Sequence, residues 1–315
     1  MKLEEYKKLE DKKEFFKFGD SQYDTCTDDI FKKIQEFEKL GESFIYRGIT
    51  EAKYKLYNSA QRLYINQELH RQVHPDSIAV HYKEFIENLI ENCKSWNNGV
   101  VKNLLKSSGI DENNAIAYLS YMQHFGVPSP FLDYTYNPYI ALFFAIDSVV
   151  YLPSDNEIDN YFSVYYTYTK STIFETFKYV FDNNLKKEDI SYKSMDLNNM
   201  SIILPDEELY QIINSVNIIN QEGLFFYNNH PWYPLEKTYK DHTTFLIKEK
   251  GRKTFDDLLA HETFSGCLNI HKSLVPVIRE KLNQMGINKN FVYPSMNDFR
   301  FSVTNTGILE SIKRN

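Results

Sequence analysis

The sequence predicts an α+β fold. Two short runs rich in aromatic and β-branched residues, FIYRGIT at 44–50 and YFSVYYTYT at 161–169, are typical of strands. Several other segments carry apolar residues at helical spacing, with capping residues near their starts or glycine near their ends. No repeat, low-complexity linker or Gly/Ser hinge divides the 315 residues, of which 42% are hydrophobic. We therefore expect one interwoven domain with a sizeable core.

Composition narrows the class of protein. The net charge of −7 argues against general nucleic-acid binding, although a local basic patch is compatible with an acidic total. Cys26, Cys93 and Cys267 form no CxxC pair, which argues against a disulfide framework and a cysteine zinc site. The charged start is unlike a signal peptide, and no run of about 18 apolar residues predicts a membrane span. We expect a cytoplasmic protein with no membrane contact. Its many Lys, Asn, Ile and Tyr residues suggest an AT-rich bacterial or phage genome.

The N-terminal half is predicted to be helical around one strand. The predicted elements are a charged helical lead-in (1–24), a helix capped by Thr27 or Asp28 and ended by Gly41, the strand 44–50, a turn-rich connection (53–64), a helix from Ser77 to Trp96, and a helix ended by Gly126. The first capped helix would bury a face carrying Phe31, Ile34 and Phe37.

The C-terminal half is predicted to alternate helices and strands. Asn137 is a good N-cap, and Pro138 a good first residue, for the almost wholly apolar helix that follows. The other predicted elements are the strand 161–169, a polar surface excursion at 182–201, two strands at 219–229 and 243–250, and a helix at 272–286 with Pro276 in its first turn and Gly286 at its end.

One arginine stands out within a predicted strand. Arg47 lies at the centre of FIYRGIT and is followed at once by Gly48. Burying an unpaired guanidinium costs roughly several kcal/mol of folding free energy. Either Asp133 ties Arg47 to the centre of the chain, or a ligand pairs with it. Gly48 would allow a close approach of another backbone.

A longer motif carries a family resemblance. The stretch YMQHFGVPSPFLDYTYNPYIALFFA at 121–145 resembles the central motif of the FRG domain family, roughly QH[YF]G[LV]PTRLLDWT-x-NP-x-x-AL-x-FA, and FIYRG fits the motif that names the family. Weaker matches are LYNSAQR (56–62), IINQEGLFF (218–226) and IREKLNQMGINKNFVYPSMND (278–298). The resemblance implies an N-terminal helical lead-in at 1–40 and an FRG domain at 41–315. Ser129-Pro130-Phe131 replaces the usual Thr-Arg-Leu, which removes an arginine, and Tyr134 replaces a tryptophan.

A more distant similarity concerns activity. The order IYRG, then FLDYT with NPYIALFFA, then NQEG is similar to that of ADP-ribosyltransferases of the Arg-Ser-Glu kind. This resemblance implies a mixed, mainly antiparallel sheet with flanking helices, NAD as co-substrate, and a toxin or anti-phage effector that acts on a macromolecular target. The competing hypothesis is a non-catalytic module that binds a nucleotide, a nucleic-acid end or a protein.

The resemblances imply a set of site residues. Arg47 would hold the diphosphate, because a guanidinium binds phosphate oxygens in pairs. Thr135, alone or with Asp133, would orient the ribose or the nicotinamide side. Glu222 would supply an anion near the positive charge that develops when the nicotinamide bond breaks. If Gln221 occupies that position instead, as the family resemblance favours, its neutral amide would weaken an anion-based mechanism. Adjacent residues of a regular strand face opposite sides, so only one of those two would enter the pocket.

Further ligand contacts would come from Gln123, His124, Asp133 and Arg62. His124 is either a general base or a cap for the end of its helix. The aromatic loop HPWYPLEK at 230–237 is either a contact surface or ordinary packing. We expect no metal, because no HExxH or other paired spacing occurs, and no Rossmann or P-loop motif is present.

Overall fold

The computed structural model describes residues 2–16, 22–23, 27–39, 44–107, 109–169, 201–203, 216–249 and 265–294. Its strands are β1 Gln22–Tyr23, β2 Phe44–Ile49, β3 Phe131–Thr135, β4 Tyr161–Tyr168, β5 Ser201–Ile203, β6 Gly223–Tyr227 and β7 Ser265–His271. Its α-helices are α1 Thr27–Glu38, α2 Ser59–Asn66, α3 Ile78–Ser107, α4 Ala115–His124, α5 Pro138–Ile146, α6 Val216–Asn220, α7 Leu235–Glu249, α8 Val275–Gln284 and α9 Lys289–Val292. Gly41, most of 182–201 and residues 295–298 lie outside the described residues.

The strands form one sheet in the order β1-β7-β4-β2-β3-β6-β5. The β1–β7 pair is parallel and the other pairs are antiparallel. The predicted α+β fold with a mixed, mainly antiparallel sheet and flanking helices is therefore confirmed. Within the described residues, no helix has the length and apolar character that a membrane span requires.

Near the middle of the sheet, the neighbouring strands β2 and β3 share little pairing. β2 pairs with β4 over six residues, from Phe44 with Tyr168 to Ile49 with Ser163. By contrast, β2 and β3 are joined by the single pair Tyr46–Thr135. Beyond that pair the two strands are no longer paired, which leaves an opening between them.

Helix α5 covers the sheet where β2 lies next to β3. Asn137 caps the helix by accepting from the backbone N–H groups of Tyr139 and Ile140, and Pro138 is its first residue, as predicted. A Cβ placed on Gly48 would lie 1.9 Å from the carbonyl oxygen of Ala141 and 2.5 Å from the backbone nitrogen of Ala145. Gly48 is therefore required for the close approach of α5 to β2.

Three hydrophobic clusters surround the sheet. One lies between the sheet and α1, α5 and α8, and a second joins α2, α3 and α4 to β3 and β6. The third, on the other face, receives the N-terminal segment through Tyr6, Leu9, Phe15 and Phe16. Part of the predicted lead-in, a 3₁₀ helix at Leu9–Glu14, thus packs on the sheet. The predicted domain boundary at 40/41 stays a prediction.

The N-terminal segment inserts a lysine into the core. Lys12 is fully buried, and its Nζ donates to Ser163 Oγ at 2.7 Å and to Asn269 Oδ1 at 2.9 Å. Desolvation lowers the pKa of this amine. The polar face of β7 is explained by this contact, since Cys267 and Asn269 line the site that receives the ammonium group.

Several sequence predictions are corrected by the fold. The connection predicted at 53–64 contains α2, which Asn58 and Gln61 stabilise with a reciprocal capping box. The strand predicted at 243–250 lies largely in α7, and the strand predicted at 219–229 begins only at Gly223, after α6. Helix α3 runs beyond Trp96 to Ser107, although its backbone leaves helical geometry at Trp96–Gly99. Strand β7 had not been predicted at all.

A buried carboxyl at the start of α7 predicts a pH dependence of stability. Glu236 is buried, accepts from Tyr6 Oη at 2.7 Å and from the Leu56 N–H at 3.1 Å, and has its pKa raised by desolvation. The unfolded chain loses this proton near pH 4.5, whereas the folded protein keeps it to higher pH. The free energy of unfolding should therefore fall as pH rises above this value. Glu236→Gln removes this charge. In urea unfolding, we therefore expect the free energy of unfolding of the variant, relative to that of the wild type, to be higher at about pH 8 than at about pH 5. An equal difference at both pH values would contradict the assignment.

Candidate functional site

A cleft of about 370 Å³ opens where β2 and β3 separate. Its polar lining includes Arg47, Gln123, His124, Asp133 and Gln221. The remaining lining residues are Gly48, Tyr134, Phe144, Asn217, Ile218, Gly223, Leu224, Phe225 and Tyr293. The cleft thus combines a charged end with an aromatic and aliphatic wall.

Arg47 is anchored by one part of its guanidinium. Nη1 donates to the backbone carbonyl of Asp133, and Cζ lies 6.0 Å from the centre of the Tyr134 ring. The Arg47 Nε is buried and has no hydrogen-bond partner among the described residues. The proposed tie between Arg47 and Asp133 therefore runs through the main chain, and the described residues contain no ion pair between the two side chains. Since no described residue accepts from Nη2, this group is the donor left for an anion.

Asp133 presents an oriented carboxylate to the cleft. Its Oδ2 accepts from Gln123 Nε2 at 2.8 Å, and the Gln123 Oε1 accepts from Ser129 Oγ at 2.7 Å. Because the hydroxyl donates to Oε1, the amide nitrogen of Gln123 must point towards Asp133. Ser129 supplies the same hydroxyl as the threonine usual in the resembled motif. Gln123 thus serves to position the carboxylate.

His124 ends α4 and lies half-buried in the cleft wall. Desolvation lowers its pKa, and the nearby negative charge of Asp133 partly opposes that shift. The imidazole is therefore mainly neutral at pH 7 and able to accept a proton. Its ring also makes an edge contact with Phe125, with centroids 4.9 Å apart.

Gln221 and Glu222 lie in a turn between α6 and β6. The expectation that they alternate along a regular strand is wrong, because strand pairing begins at Gly223 and Glu222 has φ +46°. Gln221 lines the cleft and donates through Nε2 to the carbonyl of Val292 at 2.9 Å. Glu222 is exposed, accepts from Asn137 Nδ2 at 2.9 Å and is not part of the cleft lining. Asp133 is the carboxylate that the described residues place in the cleft.

Thr135 holds this turn against β3. Its side chain donates to the carbonyl of Gln221 at 2.5 Å and accepts from the backbone N–H of Asn137 at 2.9 Å. Only 1% of Thr135 is exposed, and it does not line the cleft. Its hydroxyl is occupied by the protein itself, and its predicted contact with ribose stays a prediction.

Residues 42–150 match the family model of the FRG domain. The chain contains an FRG domain. No curated protein and no solved structure gives a significant match to the chain. The matched segment of the FRG domain supplies Arg47, Gln123, His124 and Asp133, which together form the charged end of the cleft.

Arg62 of the FRG domain lies on α2 and outside the cleft lining. Its Nη1 donates to the carbonyl of Tyr57 at 2.7 Å. Desolvation and then the positive charge of Arg47 lower its pKa, while Asp133 opposes the shift. Arg62 therefore lies within electrostatic range of the charged end and adds positive potential there.

Sequence reasoning missed the apolar wall of the cleft. Phe144 belongs to the helix that the sequence marks only as almost wholly apolar, and its side chain lines the cleft. Ile218, Phe225 and Tyr293 come from segments after the family match. The loop at 230–237 is ordinary packing, because the Trp232 side chain packs against the cluster of α2, α3 and α4. The aromatic residues of the resembled closing segment were the available signal for Tyr293.

Proposed function

We propose that the FRG domain binds NAD in the cleft and breaks the bond between nicotinamide and ribose, as an ADP-ribosyltransferase or NAD hydrolase. The observation that carries this proposal is that Arg47 and Asp133 line the same cleft, on opposite sides of the gap between β2 and β3. A dinucleotide needs a cation for its diphosphate, and its cleavage needs an anion near the reacting carbon. The charged end offers both within one cleft.

The carboxylate of Asp133 would stabilise the transition state. As the bond breaks, its electron pair leaves with nicotinamide and positive charge develops on the ribose ring, as in glycoside cleavage. A carboxylate already held by Gln123 needs little reorganisation to stabilise that charge. Water or an acceptor nucleophile then forms a bond to the same carbon and loses a proton. With water the products are ADP-ribose, nicotinamide and one proton.

His124 would accept the proton of the attacking group. Its lowered pKa leaves the imidazole unprotonated at neutral pH, and it lines the same cleft as Asp133. This arrangement suits water or a hydroxyl or amine on a macromolecular target. In a cell, such an activity would deplete NAD or modify a target, as expected of the toxin or anti-phage effector that the distant resemblance implies.

Asp133→Asn tests the role of the charge. Asparagine can still accept from Gln123 but lacks the negative charge, so we expect nicotinamide release from NAD to fall about 100-fold. Glu222→Gln, which keeps an acceptor for Asn137, should retain wild-type release. Asp76→Asn is a matched surface control, because the Asp76 side chain is 91% exposed. Release is measured with purified protein, alone and with cell lysate, in which mass spectrometry identifies any modified acceptor. Full release by Asp133→Asn, or loss in Glu222→Gln, would contradict the assignment of the anion.

The position of Glu222 also favours a second candidate, a non-catalytic sensor of nucleotides. The cleft lacks the glutamate that the distant resemblance implies, and Pro130 stands where the resembled motif has an arginine. Such a module would bind NAD or ADP-ribose through Arg47 without releasing nicotinamide. Binding without release in the same assay would identify this function.

A further inference from the structure

The side of the cleft formed by the C-terminal segment carries one tyrosine with an accessible ring. Tyr293 lines the cleft, is 37% exposed, and has its ring centroid 6.1 Å from that of Phe144 and 6.2 Å from that of Phe143. The described residues provide no hydrogen-bond partner for its hydroxyl. Tyr293 therefore offers a ring face or edge and one hydrogen-bond donor to a ligand.

The hydroxyl of Tyr293 stays protonated over a wide pH range. Desolvation raises its pKa to about 12, with further contributions from the negative charges of Asp147 and Asp133. The influence of Asp133 indicates that the phenol lies within electrostatic range of the charged end of the cleft. A ligand held beside Asp133 would thus extend towards Tyr293.

The segment that carries Tyr293 is fixed to the turn before β6. Asn220 Nδ2 donates to the carbonyl of Phe291 at 2.8 Å, and Gln221 Nε2 donates to the carbonyl of Val292 at 2.9 Å. The same turn is bound to β3 through the side chain of Thr135. The position of Tyr293 relative to Asp133 is therefore set by side chain–main chain hydrogen bonds, and the wall is formed before a ligand arrives.

We propose that Tyr293 and Phe144 bind the planar pyridinium ring next to the bond that breaks, with the Tyr293 hydroxyl donating a hydrogen bond to the ring's carboxamide oxygen. This inference rests on the proposed function and names the specificity site of the same cleft. If Asp133 lies beside the ribose carbon that reacts, the ring beyond that bond meets the apolar wall, which also includes Ile218 and Phe225. A planar ring suits an aromatic wall better than a sugar or a phosphate does.

With Tyr293 in the ring site, the residues that match the family model form only part of the binding site. The match ends at residue 150, whereas Tyr293 and the turn that holds its segment come later in the chain. The matched segment would bind diphosphate and ribose, and the later segments would select the ring.

Two ligands separate the ring site from the rest of the cleft. The first is an NAD analogue whose ribose ring oxygen is replaced by CH₂, so that it is not cleaved. The second is ADP-ribose, which lacks the nicotinamide ring. We expect Tyr293→Ala to raise the calorimetric Kd of the analogue at least about 10-fold and that of ADP-ribose less than about 2-fold. Tyr293→Phe keeps the ring and loses the donor, so it should weaken only the analogue, by about 2- to 5-fold.

The control is Tyr151→Ala, because the Tyr151 ring contacts His271 and lies outside the cleft lining. It should bind both ligands as the wild type does, and circular dichroism shows whether each variant is folded. Equal weakening of both ligands, or no change in either, in a folded Tyr293→Ala variant would overturn the ring assignment while leaving the proposed function in place. Failure of the wild type to bind either ligand would overturn both.

Discussion

Arg47→Lys is expected to raise the Kd for the non-cleavable NAD analogue about 10- to 100-fold, nearly as much as Arg47→Ala. Arg47 uses Nη1 to donate to the Asp133 carbonyl, and its Nη2 has no acceptor among the described residues. A lysine ammonium is a single point of charge and lacks the planar fork that serves both partners at once. Nicotinamide release at low NAD concentration should fall by a similar factor.

The control for this change is Arg71→Lys, at an arginine that pairs with Glu68 at 2.7 Å and is exposed. Surface pairs of this kind contribute little, so Arg71→Lys should match the wild type in binding and in thermal unfolding. An Arg47→Lys variant that binds and turns over NAD normally would show that the guanidinium serves only to hold the Asp133 carbonyl.

Gly48→Ala should destabilise the fold by on the order of 3 kcal/mol, measured as the free energy of unfolding in urea. The new Cβ would lie 1.9 Å from a main-chain oxygen of α5, so the helix itself would have to move. Any such shift also moves Phe144, on the same helix, in the cleft wall. The variant should therefore bind the NAD analogue more weakly even where it remains folded.

Gly109→Ala is the comparison for this effect. Gly109 has φ +77°, and no described atom lies within 4 Å of a Cβ added there. Gly109→Ala should lower the free energy of unfolding only through backbone strain, by about 1 kcal/mol. Equal losses in the two variants would show that the contact between β2 and α5 yields without strain.

Local sequence signals predicted the elements whose determinants are local. The strands at β2 and β4, the cap at Asn137 with Pro138, and the ends of helices before Gly126 and Gly286 all follow from backbone preference. The requirement for glycine at position 48 was also visible, because a strand rarely drops its side chain without a close neighbour. These features needed no knowledge of distant residues.

The errors come from contacts between distant parts of the chain. Strand β7 has only Leu268 and Ile270 as large apolar residues, because its other face carries Cys267 and Asn269, which receive Lys12. The residues at 243–249 resemble a strand by composition, and the upstream spacing of Leu235 and Tyr239, after Pro234, was the overlooked sign of a helix. The segment that carries Tyr293 is held at the cleft by hydrogen bonds from Asn220 and Gln221, and no local pattern predicts these contacts.

The most direct test of the central claim is a crystal structure of the protein with the non-cleavable NAD analogue. We predict density in the cleft between β2 and β3, with the diphosphate on the Arg47 guanidinium, the reacting carbon beside Asp133 and the nicotinamide ring against Tyr293. Density for the analogue elsewhere on the protein, or an empty cleft at saturating analogue, would contradict the proposal that this FRG domain acts on NAD.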